Sequence, residues 1–125
     1  MGVFSALIGN AGTVDPETII EKYEKFLIEG ETVEIGFKLV RDILIFTDRR
    51  LIAVDKQGVT GKKVEILSIP YRSISRFSLE TAGHFDLESE LKIWISSAVQ
   101  PSMERTFSRS VDVYALHRVL ASHVV

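Results

Sequence analysis

The chain has 125 residues, 46% of them hydrophobic and 26% charged, with a formal net charge of -2 and no cysteine. This is the size and balance of one globular domain with a core of its own. It excludes disulfides and thiolate metal sites, and it leaves no bulk positive charge to draw the protein onto nucleic acid or an anionic membrane.

The opening stretch, MGVFSALIGNAG, is apolar but far shorter than the roughly 20 residues that span a bilayer. It lacks the basic residues and cleavage site of a secretory signal. Gly2 resembles the start of a myristoylation signal, yet position six is Ala6 and the hydroxyl falls one place early, at Ser5. The segment is therefore expected to serve packing or subunit contact, and the protein is read as cytoplasmic. VDPETIIEKYEKFLIEGE predicts a helix: Asp15 caps it, Pro16 fits its first position, and Gly30 stops it. Ile19, Ile20, Tyr23, Phe26 and Leu27 give it one apolar stripe. Residues 1–30 thus form an apolar segment and a helix.

From Thr32 the period becomes two. Val33, Ile35, Phe37 and Leu39 alternate with polar neighbours, predicting a half-buried strand. ILIFT is a continuous apolar run between the corners RD and DRR and reads as a central strand; LIAVD and KVEILSI follow, separated by KQGVTG. SISRFSLE is a fifth strand whose alternation slips near Arg76, which predicts a bulge. FDLESELKIWISS is a sixth, with Phe85, Leu87, Leu91, Ile93 and Ile95 on one face and Asp86, Glu88, Glu90, Lys92 and Trp94 on the other; MERTFS is a short seventh. The chain closes on a helix from Ser110 to about His123, with Ser110 as N-cap, Asp112 in the first turn, and Val113, Leu116, Leu120 and Val124 as its buried stripe. The expected fold is mainly β with flanking α: residues 31–125 form a bent sheet or open barrel covered by the last helix, and one globular domain contains everything.

The run FTDRRLIAVDKQGVTGKKVEILSIPYRSISRFSLETAGHFDLESELKIWI resembles the bacterial pleckstrin-homology-like domains from about Glu34 to Ile95, most specifically in DKQGVTGKK, IPYRSI and ETAGHFD. The resemblance implies a seven-stranded antiparallel barrel of two bent sheets capped by the C-terminal helix. It also implies assembly into closed rings of five subunits.

DKQGVTGKK looks like a phosphate loop. A Walker A loop, however, needs four residues between its glycines, then Lys and Ser or Thr, and a helix whose N-terminus meets the phosphates. Gly58 and Gly61 have two residues between them, Lys62 is followed by Lys63, and a strand comes next. It reads as a turn with solvated lysines. Phosphoinositide binding, common in eukaryotic relatives, uses a long basic loop between the first two strands; here that connection is KLVRDI. Lys38, Arg41, Lys62 and Lys63 are the candidate contacts of this alternative, a peripheral anionic-lipid module. His84, Asp86, Glu88 and Glu90 are close in sequence, but residues two apart on a strand lie roughly 6.5 Å apart and splay, so no metal site is expected. No G-x-S-x-G elbow or S-x-x-K pair supports nucleophilic catalysis.

Trp94 is the informative residue. Alternation turns it away from the core, alongside Lys92, Glu90 and Glu88. Either the N-terminal helix covers it or it meets a neighbouring subunit, since tryptophan concentrates at contact hot spots. The expectation is therefore a non-enzymatic binding and scaffold module with no cofactor, assembling as a cyclic homo-oligomer. Its polar strand surfaces, Glu34, Lys38, Glu88, Glu90, Lys92 and Trp94, are presented to an unidentified protein partner.

Overall fold

The structure, a computed structural model, describes residues 12–39, 42–58, 62–83 and 88–125. Among these described residues, eight strands and two helices appear in the order β1 (Thr13–Val14), α1 (Pro16–Tyr23), β2 (Val33–Lys38), β3 (Ile43–Thr47), β4 (Arg50–Gln57), β5 (Lys63–Pro70), β6 (Ile74–Glu80), β7 (Glu88–Ile95), β8 (Met103–Ser108) and α2 (Val113–Val124). Single 3-10 turns follow α1 and β5, at Glu24–Phe26 and Tyr71–Ser73.

The seven expected strands are present, and β1 is an eighth. Its two residues pair with Phe37 and Gly36 of β2. All pairing is antiparallel, in a five-stranded sheet β1-β2-β3-β4-β5 and a three-stranded sheet β6-β7-β8. Among the described residues no strand pair joins the two sheets, so the expected barrel is open at its seams. The register of β6 on β7 shifts between Ile74 and Arg76, where the alternation slips; a second shift, between Val33 and Ile35 in β2, leaves no such sequence signal.

Two apolar clusters hold the layers. The larger fills the space between the sheets with Phe37, Phe46, Leu51, Leu91, Ile93 and Phe107 and is closed by Val113, Leu116 and Leu120 of α2. Each fully buried side chain of this size contributes about 1.5–3 kcal/mol of transfer free energy. The smaller cluster lies on the outer face of the larger sheet: Ile19 of α1 packs on Val33, Ile43, Ile45, Ile52 and Val54. Strand β3 is buried along its whole length because it is apolar on both faces and both faces are covered. Gly36 permits this second layer, since a Cβ there would come within 2.7 Å of Ile19 Cδ1 and 2.9 Å of Ile43 Cδ1.

Both helices are shorter than their sequence signals. Asp15 caps α1 as expected, accepting from the backbone N–H of Thr18 at 2.8 Å, a bond that also lowers its carboxyl pKa. The α-helix nevertheless ends at Tyr23, and Leu27 is already extended. Ile20, counted in the apolar stripe, is exposed. The cause is downstream. The Glu31 side chain, with no solvent exposure, takes two bonds from Arg50, Nε–Oε2 and Nη2–Oε1, both 2.9 Å. It accepts a third from Thr47 Oγ1 at 2.7 Å and a fourth from the Ile28 N–H at 3.1 Å. Arg50 Nη2 also donates to Phe26 O at 2.7 Å, so the residues after Tyr23 are drawn onto the β3–β4 corner instead of continuing the helix. At the C-terminus the cap is Asp112, not Ser110: its Oδ1 accepts from the Ala115 N–H at 3.1 Å, and Ser110 is left to bond Ser108.

Candidate interaction surfaces

The six polar residues expected to share one surface fall in three places. Glu88, Glu90, Lys92 and Trp94 lie along β7 on the side opposite Leu91 and Ile93, which puts them on the outer face of the smaller sheet. Lys92 makes ion pairs with Glu90 at 3.6 Å and, across the strand pair, with Glu104 at 4.0 Å. Such exposed pairs contribute little stability and leave the face polar.

Helix α1 does not cover Trp94, since it packs on the other sheet. Its register partner Arg76 lays its guanidinium over the indole, 4.5 Å from the ring centroid. The indole Nε1 donates to Val99 O at 3.1 Å, in a loop whose Val99 side chain is exposed. The bulge at Ile74/Arg76 brings the arginine onto the same face as the ring, and the cation satisfies the electron-rich face of the indole. The ring is half-buried within its own sheet.

Glu34 is engaged elsewhere. Its Oε1 lies 2.6 Å from Nε2 of His123 near the end of α2, and that imidazole stacks on Tyr71 with ring centroids 4.0 Å apart and planes 2° from parallel. Tyr71 in turn donates its hydroxyl to Thr47 O at 2.6 Å. Burial first, then the nearby Glu34 carboxylate, raises the phenol pKa and keeps that donor in place. Glu34 therefore fastens the last helix to β2.

Lys38 stands at the mouth of the fold beside α1. A cleft of about 360 Å³ is lined there by Lys22, Lys38 and Lys56 together with Thr18, Tyr23 and Asp42. The Tyr23 hydroxyl donates to Asp42 Oδ1 at 3.3 Å, and burial, reinforced by the Asp42 charge, pushes the phenol up to about 12. Lys22 and Lys56 went unnoticed in the sequence because nothing local links residue 22 to residue 56; only the packing of α1 over β2–β4 brings them together. Of the other candidate anion contacts, Lys62 and Lys63 are exposed at the start of β5, away from this lining, and Arg41 lies outside the described residues. So do the segment 1–11, Gly61, and His84, Phe85, Asp86 and Leu87. Among the described residues, no group of three acidic or histidine side chains could hold a metal ion. No described helix is long and apolar enough to cross a membrane.

One further surface escaped the sequence reading. Among the described residues strand β5 is an edge of the five-stranded sheet with no strand paired on its outer side, and Lys63, Val64, Glu65 and Ile66 are exposed in succession. Val64 and Ile66 lie opposite Lys56 and Val54 on the outer face, beyond the cover of α1, each with 43% of its surface in solvent. Long apolar edges are unusual because they template pairing with another chain.

The comparisons with known proteins agree with this architecture. The family model for the bacterial PH domain matches residues 2–124. The chain is similar to the uncharacterized protein YjqA of Bacillus subtilis (strain 168), at 56% identity over 98% of both chains. Among solved structures, it matches the pleckstrin homology domain from Shewanella amazonensis SB2B with 42% identity, a TM-score of 0.81 and 99% coverage of each chain. A DUF1696 family protein with a pleckstrin-homology domain from Shewanella loihica PV-4 matches with 36% identity and a TM-score of 0.78, over 93% of this chain and 98% of that one. With two sheets, a C-terminal helix closing their core, and a family match along nearly its whole length, the chain belongs to the bacterial PH domain family.

Proposed function

We propose that this protein is a non-enzymatic PH-like module that assembles with copies of itself, in the closed ring of five that its family resemblance implies. It works in the cytoplasm and offers the outer face of the smaller sheet, Glu88, Glu90, Lys92 and Trp94, to a protein partner. The ring rests on the family resemblance; the observation that supports association between copies is the edge strand β5 with Val64 and Ile66 in solvent. Burying such apolar surface between copies stabilises an oligomer, and repetition around a ring turns weak partner contacts into strong ones, since each contact after the first is intramolecular. Light scattering on the full chain tests the assembly. The mass expected is a whole multiple of the 14.0 kDa subunit; a monomer at every concentration overturns the reading.

The lysine cleft favours a second reading, recognition of an anionic headgroup. Lys22, Lys38 and Lys56 set three positive charges against Asp42 around one opening. Sedimentation with vesicles containing a polyphosphorylated phosphoinositide, at low salt, separates the two. Salt-sensitive binding that Lys38→Glu and Lys56→Glu abolish supports the headgroup; no binding to any vesicle leaves the scaffold.

A further inference from the structure

The backbone of β5 specifies what its edge can accept. Its register on β4 runs unbroken from Arg50 opposite Pro70 to Gln57 opposite Lys63. Proline has no N–H, so the Arg50–Pro70 pair cannot exchange both ladder bonds. Antiparallel pairs alternate between bonded and non-bonded, which turns the N–H and C=O groups of Val64, Ile66 and Ser68 outward while Lys63, Glu65 and Leu67 bond to β4. The outward backbone groups thus belong to the residues whose side chains lie on the uncovered outer face of the sheet. The neighbouring residues carry opposite charges, Lys63 and Glu65, on either side of Val64; the Glu65 carboxylate lies 4.0 Å from Arg105 of β8 in its own chain and keeps half of its side chain in solvent, open to a second cation.

We propose that β5 pairs antiparallel with β5 of a second copy, about a twofold axis through Val64, making one continuous sheet across two subunits. The inference rests on the self-assembly reading and adds its surface and register. In this register Val64 lies opposite Val64 of the partner subunit, and Lys63 lies opposite Glu65 of the partner subunit, twice by symmetry. Opposite charges directly across a strand pair stabilise it, whereas the register two residues away sets Glu65 against Glu65 of the partner subunit and is disfavoured. The two outer faces then merge Val64 and Ile66 of both copies into one apolar strip beside the α1 layer. A twofold contact is isologous, while a closed ring is built from a different, heterologous contact. The β5 pairing therefore joins copies from two rings.

The absence of cysteine makes the test direct. Bonded pairs across an antiparallel ladder have Cα atoms about 5.5 Å apart, within reach of a disulfide. Val64→Cys is expected to give a reducible covalent dimer under mild oxidation, and Ser68→Cys, on the same edge but with no equivalent opposite it, is expected to give none. Lys63→Glu should lower the Val64→Cys dimer yield about tenfold, and Lys63→Glu with Glu65→Lys should restore it. If the protein assembles by light scattering yet Val64→Cys stays uncrosslinked, or Ser68→Cys crosslinks equally, the β5 pairing is overturned and self-assembly stands. If Lys63→Glu leaves the yield unchanged, the register is wrong. Crosslinking only to a different polypeptide also overturns pairing with a second copy. A monomeric wild type overturns both readings together.

Discussion

The carboxylate of Glu31 and the guanidinium of Arg50 form a two-pronged ion pair, 2.9 Å on each prong, with the glutamate side chain covered and the arginine side chain partly in solvent. It joins the segment after α1 to the β3–β4 corner, and with Thr47, Phe26 O and Ser68 as further partners it ties three regions together. The pair is only part-buried, so removing one member leaves a charge that water can partly compensate, at a cost of about 1–3 kcal/mol. Glu31→Ala should therefore lower stability by about that amount in urea unfolding. Arg50→Lys should also destabilise, because an ammonium cannot reproduce the fork.

The same pair sets an acid limit. Hydrogen bonding from Arg50 holds the Glu31 carboxyl at about 2, against an ordinary value of 4.5. The folded state thus binds fewer protons at this group than the unfolded state does. Its contribution is fully present above pH 4.5 and is lost as the pH falls toward about 2. Unfolding free energies measured from pH 7 down to 3 should drop in wild type and drop less steeply in Glu31→Gln.

Arg76 should report through the single tryptophan. With its guanidinium 4.5 Å from the indole centroid, Arg76→Ala uncovers one ring face. Emission should shift to the red and acrylamide quenching should increase, while stability falls by about 0.5–1 kcal/mol. Unchanged fluorescence would mean that the ring is covered by something other than this arginine.

His123→Ala and Glu34→Ala each remove one side of the 2.6 Å contact that holds α2 to β2. The histidine variant also removes the ring stacked on Tyr71. Each should cost about 1–2 kcal/mol. Amide exchange should speed up in Val113–Val124 before it does in β3, because the helix is fastened at its end by this contact while that strand is buried on both faces.

Much of this was legible in the sequence, because facing direction along a strand is local. The side on which Trp94 projects, the bulge near Arg76, and the apolar run of β3 all follow from period-two patterning. What failed depends on partners distant in sequence. Two residues of β1 have no periodicity to read, and their strand character comes wholly from pairing with β2. The early end of α1 depends on Glu31 finding Arg50, 19 residues on. Glu34 looked free because its partner His123 is 89 residues away. The exposure of β5 was hidden as well: KVEILSI reads like any half-buried strand, and only the sheet order makes it an edge that α1 fails to cover.

The central claim is that copies of this protein associate mainly through apolar strand surface and not through basic charge. Sedimentation velocity of the full chain in about 0.05 M and about 1 M sodium chloride tests it most directly, since that change shortens the screening length severalfold. The account predicts one oligomeric boundary whose sedimentation coefficient is unchanged or slightly higher at high salt. Dissociation to a monomer as salt rises, or a monomer in both conditions, would contradict it.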